Sequence, residues 1–463
     1  MGLMDLFGGK NRAAEQERLL EEQRQQEHQR QVEQQKKAHE NEPWPQIPRL
    51  NILNIKDTKL EVEDSISAER KDEIGQLVFE PNLTADQITG FTVQELLFLQ
   101  LTMTVFNRKA ALTDYEKNHR VVYNELLSRI HKAEKFYVLY DKRTGYPLID
   151  GGFAPIYLER ERAEKAAELY KAQFRDVLVM ERDGEAAPLK ENGARPIAFF
   201  DYLYYIGVEN VVIDNGWYKG VVKRSEISAP MDWNSDPKKT PPSNPALAFA
   251  MTDYVSENRW PVKYEKRAEI LQKKTDRMML LIPKGRYIVP SRVVDVDPAA
   301  APEVGPDGQK PTKQVQFPAV KVGEKMYLPL FTDLFEYTKK FGKTDMKPVG
   351  FEYRNLLRFV TGGIEGLIIN PNGQGIVISA EKARNLMLRE AGLKVTPELP
   401  KEVKEKIAQE AAKRAAQGQK PAADSSQPET AQSQANSADV QPETAKAQAE
   451  ATKDPSQPEA TEE

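Results

Sequence analysis

The residues best placed to do chemistry sit at an apparent strand-to-helix junction. The apolar run Lys325-Met326-Tyr327-Leu328-Pro329-Leu330-Phe331 ends at Thr332-Asp333, and a helical pattern carrying Glu336 follows. An aspartate there can accept a hydrogen bond from the first free N–H groups of the helix, with Glu336 at the N3 position of a capping box. The same helix start could hold an anion. Capping is the stronger reading, because Asp333 would repel an anion and no glycine-rich loop precedes it. His119 and His131 stand twelve residues apart beside Glu125 and Glu134, without the i,i+4 spacing of a two-histidine metal site, which makes them packed or surface histidines. Asp141, Asp150 and Glu159 alternate with turn residues, and nothing holds them at a separation suited to acid–base work. Gly145, Gly151-Gly152 and Gly362-Gly363 belong to neither phosphate-binding pattern, GxGxxG or GxxxxGK[ST]. In Asn370-Pro371-Asn372-Gly373 the proline presets φ and Asn-Gly tolerates positive φ, so a turn explains the motif better than a ligand does.

Composition narrows the chemistry further. The 463 residues contain no cysteine, which excludes disulfides, thiolate metal sites and thiol nucleophiles. Only four histidines occur, His28, His39, His119 and His131, so no Ser-His-Asp triad or multi-histidine centre can form beyond residue 131. A net charge of −4, from 66 basic and 70 acidic residues, argues for neither a nucleic-acid nor an anionic-membrane partner. No cofactor is expected. No segment approaches the ~20 apolar residues of a membrane helix, and the first residues lack the features of a secretory signal, so cytoplasmic residence is expected.

The elements that must position these residues can be traced along the chain. Residues 1–45 form a charged, Gln-rich arm. It opens with an apolar knob, Leu3, Met4, Leu6 and Phe7, which Gly8-Gly9 should interrupt and which could touch a membrane weakly. The rest of the arm has few apolar residues and no heptad seam, and is read as solvated helix or disorder that can be removed without harm to the core. An accessory segment, 46–91, carries the short apolar runs Leu50 to Ile55 and Gln76 to Phe79. Thr92-Val93-Gln94-Glu95 has capping-box spacing ahead of an apolar helix. A proline-rich linker, 231–245, separates two main domains, 92–230 and 246–393. The tail, 394–463, is Ala-, Gln-, Glu-, Pro- and Ser-rich and is expected to be disordered, with residues 397–463 removable as residues 1–42 are.

The two domains show the same order of elements. In the first, a helix around Asn118–Leu127 precedes strands Phe136–Tyr140 and Phe153–Leu158, a helix Glu161–Tyr170, an apolar helix Ile197–Ile206 and a hairpin at Val211–Gly216. In the second, a helix Tyr264–Lys273 precedes strands Met278–Pro283 and Lys325–Phe331, helices Leu334–Phe341 and Tyr353–Val360 and a hairpin at Gly366–Gly373. The continuous apolar runs Phe136–Tyr140 and Met278–Ile282 are expected at the centre of each sheet, with helices on one side.

The pattern Pro329-x-Phe331-Thr332-Asp333, followed by a helix and a strand that ends in Asn370-Pro371 before a hairpin, resembles the SseB N-terminal domain. This is the enhanced-serine-sensitivity family, not the secretion subunit that shares its letters. The resemblance is clearest over 245–393. A degenerate copy over 92–230 has Pro155-Ile156-Tyr157-Leu158-Glu159 and Asp214-Asn215-Gly216 in the motif positions. It implies a mixed α/β (α+β) fold of two tandem SseB-like domains, each a small sheet with helices packed on it. It also implies a bacterial protein of poorly defined biochemical role; the absence of cysteine and the scarcity of histidine favour a non-catalytic module that binds or scaffolds a protein partner. Pro329, Phe331, Thr332, Asp333, Asn370, Pro371 and Gly373 are its motif positions and have structural roles in this reading. The alternatives are an enzyme or regulator acting on amino-acid metabolites through carboxylates and hydroxyls, and a membrane-peripheral or secretion-associated factor.

Overall fold

The computed structural model describes residues 5–47, 62–229, 240–295 and 313–393, with side chains from residue 15 onward. These residues belong to one compact unit, Met1–Thr396. The run Leu50–Ile55, most of the linker and the tail lie outside the described residues. So do Leu3 and Met4, and the side chains of Leu6 and Phe7.

The chain is mixed α/β. Helix α1 (Asp5–Ala38) leads to α2 (Ala68–Gly75), a 3-10 turn Gln76–Phe79, α3 (Ala85–Ile88), α4 (Val93–Lys109) and α5 (Tyr115–His131). The first sheet region comprises β1 (Lys135–Asp141), β2 (Tyr146–Pro147), β3 (Phe153–Tyr157), α6 (Arg160–Ala172), β4 (Val177–Asp183), α7 (Phe199–Tyr205), β5 (Asn210–Ile213), β6 (Gly220–Lys223) and α8 (Arg224–Ile227). After the linker come α9 (Pro245–Arg259), α10 (Arg267–Leu281), β7 (Arg286–Asp295), β8 (Lys313–Gln316), β9 (Val320–Val322) and β10 (Lys325–Leu330). The chain continues through α11 (Leu334–Phe341), β11 (Lys347–Glu352), α12 (Tyr353–Leu356), β12 (Ile364–Ile369), β13 (Ile376–Ser379) and α13 (Ala380–Glu390). Local chemistry explains several boundaries. Thr92 accepts from Glu95 N while the Glu95 carboxylate accepts from Thr92 N at 2.7 Å, which completes the capping box of α4. Pro245 occupies the first turn of α9, where its missing N–H costs nothing.

The arm departs from its reading as a solvated, removable element. Helix α1 passes through Gly8-Gly9, since two glycines lower helix propensity by only about 1 kcal/mol each. Its C-terminal end then enters the core. His39 is 4% exposed, stacks on Phe106 at 5.1 Å and contacts the Phe106 and Ala110 carbonyls. Gln35 donates to the Phe79 carbonyl and accepts from Thr113 N. Trp44 also stacks on Phe106, at 5.4 Å. Val78 and Phe79 of the accessory segment lie in the same core as α4 and α5.

Both halves have helices on both sheet faces, which corrects the one-sided expectation. Along β1, Phe136 and Val138 join the core under α4, α5 and α7, whereas Leu139 packs with Ala163, Ala166 and Tyr170 of α6. In the second half, Leu330, Leu367 and Ile369 pack with Met251, Met278 and Leu386, while Ile288 and Phe331 pack with Tyr337 and Phe341 of α11. Alternating side-chain direction sends neighbours in one strand to opposite layers.

The run Met278–Ile282 is the end of α10, not a strand. Met278 and Ile282 are buried while Leu280 between them is 59% exposed, an i,i+4 pattern that a short apolar run conceals. The strand in that place is β7, where Pro290 and the charged residues beyond it hide the pattern. The helix read over Tyr353–Val360 is one α turn followed by a 3-10 turn.

The strand orders of the two halves correspond in part: the first half forms one sheet, whereas the second is divided into two. The first runs β4-β1-β3-β5-β6, with β2 also on β1; β3 and β5 are parallel and the other pairs antiparallel. In the second, β11 pairs with β7, and β10, β12 and β13 follow in order with β10 and β12 parallel. A single antiparallel bridge, Ile288 to Phe331, joins β7 to the end of β10. The chain turns are also alike: Asp214 and Asn370 both have left-handed φ, 52° and 49°, and their N–H groups donate to the Ile156 and Leu330 carbonyls.

Candidate functional site

The junction residues converge on a buried polar cluster. Phe331 extends β10 into the core with no exposed surface, so Thr332 and Asp333 are carried directly to the start of α11. Asp333 accepts from Glu336 N at 3.0 Å and caps that helix. The reciprocal bond of a capping box is not made, because the Glu336 carboxylate turns elsewhere. Thr332 Oγ1 donates to Asp333 Oδ2 at 2.7 Å. Burial first, and the neighbouring Glu336 carboxylate second, push the Asp333 carboxyl up to about 6.

Asn370, also without exposed surface, holds this junction to the end of β12. Its Oδ1 accepts from Thr332 N at 3.0 Å, and its Nδ2 lies 2.9 Å from both Thr332 Oγ1 and Gln374 Oε1. Its carbonyl accepts from Gly373 N and Gly375 N, closing the turn in which Pro371 sits. Asparagine suits the position because it tolerates left-handed φ and supplies acceptor and donors together. Pro329 faces Ile368 in the parallel ladder.

The cluster reaches across to the first half. Tyr146 of β2, 1% exposed, directs its hydroxyl to Glu336 Oε1 at 2.8 Å and to Gln374 Oε1 at 2.9 Å. It has one proton for two acceptors. Lys339 closes the solvent side, 2.6 Å from Glu336 Oε1 and 4.5 Å from the Tyr146 ring centre. Gln374 Nε2 donates to Thr252 Oγ1 of α9 at 2.9 Å. Gly373 fits because it has no side chain: a Cβ there would collide with Tyr146 Oη and lie 2.6 Å from Glu336 Oε2. That Oε2 is buried and has no hydrogen-bond partner among the described residues. Burial, then Glu336, drives the Tyr146 hydroxyl far above its ordinary range, so it stays a neutral donor.

The other candidates disperse. His119 and His131 lie on α5 at a separation of about 18 Å along the axis, and burial lowers His119. No group of three or more metal-ligating side chains occurs among the described residues. Asp141 accepts from Arg143 N, Asp150 accepts from the Tyr170 hydroxyl, and Glu159 precedes α6 beside Arg162. Gly145, Gly151, Gly152, Gly362 and Gly363 occupy left-handed turns with open space around them.

Tyr146, Gln374, Thr252 and Lys339 were not visible as site residues in the sequence. The one available signal was the turn Asn370-Pro371-Asn372-Gly373, whose next residue is the buried Gln374.

Residues 267–384 match the family model of the SseB protein N-terminal domain. This segment is similar to an SseB N-terminal domain. It contains α11, the Asp333 cap, Asn370 and Gln374, so the cluster is built largely from residues of the matched segment and is completed by Tyr146 and Thr252 from outside it. No curated protein and no solved structure matches the chain. No helix among the described residues is long and apolar enough to cross a membrane.

Proposed function

We propose that the protein is a non-catalytic bacterial, cytoplasmic scaffold or binding module in which two SseB-like domains in tandem act as one body. The observation that carries this reading is the use made of the SseB motif. Thr332, Asp333, Asn370 and Gly373 are buried or closely packed, and their polar groups are taken up in joining β10, α11 and β12 to one another, while Glu336 and Gln374 beside them tie this junction to Tyr146 of the first half. A motif engaged in this way serves architecture, leaving the outer surfaces for partners. The tandem reading is supported by the partly corresponding strand order and by the matching left-handed turns at Asp214 and Asn370. In the first half, Asp214 accepts from Gln94 at 2.8 Å and Arg162 at 3.0 Å, so a buried polar tie to the leading helix recurs with different residues.

The test is to incubate the full chain with a panel of amino acids and follow thermal shift and substrate consumption in parallel. A binding module shifts its transition with some of them or with none, and consumes none. Turnover that disappears in Glu336→Gln or Asp333→Asn would overturn the scaffold reading in favour of carboxylate chemistry.

A further inference from the structure

A cavity of about 350 Å³ opens between α7, the segment Thr240–Ser243 and α11, and no residue of the buried polar cluster lines it. Three aromatic rings wall it. Tyr205 and Phe335 meet edge to face at 4.6 Å, and Tyr204 meets Tyr205 in the same way at 5.3 Å. Tyr202 packs against Phe335 at 6.1 Å and holds that ring in place. Pro241 and Pro242 add flat apolar surface opposite, and no Asp, Glu, Lys or Arg lines the cavity among the described residues. On the same wall, Ser243 Oγ is buried without a hydrogen-bond partner among the described residues.

We propose that this cavity is a binding site for a small, uncharged aromatic molecule that carries one hydrogen-bonding group. The volume is within the range of ligand sites, and an apolar cavity of ~150 Å³ accepts benzene, so a two-ring molecule fits. Edge-to-face walls present both ring faces and ring edges to a flat guest. The uncharged lining disfavours an ionic ligand, whose desolvation would have no compensation. Ser243 lines the cavity while its unpartnered Oγ is turned into the protein, so rotation about Cα–Cβ is what brings the hydroxyl to the guest as the polar contact. The site stands whether or not the first half is an SseB-like copy.

The experiment is isothermal titration of the full chain with indole and with benzothiophene, which has the same shape but no N–H. Saturable one-to-one binding is expected, with a dissociation constant of about 1 mM or tighter. Ile197→Trp and Thr338→Trp place a ring in the cavity from its exposed rim and should each weaken both probes at least about tenfold, with the thermal transition retained. Ser243→Ala should weaken indole about fivefold and leave benzothiophene unchanged. Absence of saturable binding by either probe overturns the site, and so does affinity unchanged in both tryptophan variants. Equal loss of the two probes in Ser243→Ala overturns the hydrogen-bonding part.

Discussion

Tyr146 and Glu336, 190 residues apart in sequence, share a 2.8 Å hydrogen bond between the two halves of the molecule. Both are buried, so the bond forms where water cannot replace it. Tyr146→Phe leaves a buried carboxylate without that donor and should cost about 1–3 kcal/mol in denaturant unfolding. In a cycle with Glu336→Gln the two effects should couple by about 0.5–3 kcal/mol. Additive losses would show that the pair does not join the halves.

Gly373→Ala tests the same contact from the other side. The added methyl meets Tyr146 Oη, so a loss of about 1–3 kcal/mol is expected, as for other overpacked sites. Introducing Tyr146→Phe as well removes the nearest atom and should recover part of the loss. A double variant with the full sum of both losses contradicts the geometry.

The Asp333 carboxyl gives a pH signature. Its folded value is about 6 against an ordinary 3.8, so the fold prefers the protonated form. The associated stability is fully present below pH 3.8 and is lost as pH rises to about 6, after which it stays constant. The total is about 3 kcal/mol at most, from 1.36 kcal/mol per pH unit. Asn caps helices as well as Asp does, so Asp333→Asn keeps the cap and removes the titration. Relative to the wild type, that variant should gain stability between pH 4 and 6. Parallel curves for the two proteins would refute the assignment.

The arm should divide into a removable part and an integral part. Among the side chains described in residues 1–27, those of 15–27, all are exposed, and deleting residues 1–27 should leave the thermal transition nearly in place. Deleting residues 1–42 also removes Gln35 and His39 from the core and should lower it clearly. His39→Ala alone should cost about 2–4 kcal/mol through lost packing on Phe106. Equal behaviour of the two truncations would count against the His39 contact.

Much of the second half was legible because its signals are local. β10 and β12 are apolar runs bounded by charged residues and by an Asn-Pro turn, and Thr92 and Glu95 cap α4 at the expected spacing. The mixed α/β class follows from those runs. β7 was hidden by Pro290 and its exposed outer end, and α10 was cut short because Met278–Ile282 reads equally as strand or helix until the exposure of Leu280 is known. His39 looked solvated because its neighbours in the helix are charged, and only the aromatic rings of Phe79 and Phe106 make it a core residue. The cluster was legible at Asp333 and Asn370, whose roles begin with their own backbone. Tyr146 has no local mark: its role depends on a surface brought to it from the other half.

The narrow link between β7 and β10 has a mechanical consequence. Ile288 and Phe331 exchange two backbone hydrogen bonds of 2.9 Å, and among the described residues this bridge is the one backbone pairing between the sheet containing β11, β7 and β8 and the one containing β9, β10, β12 and β13. A load that separates those sheets falls on one residue pair at a time, whereas the six-residue ladder between β7 and β11 resists the same load in shear. Under tension the second half therefore yields along the Ile288–Phe331 seam, and the aromatic packing of Phe331 with Tyr337 and Phe341 sets the resistance there.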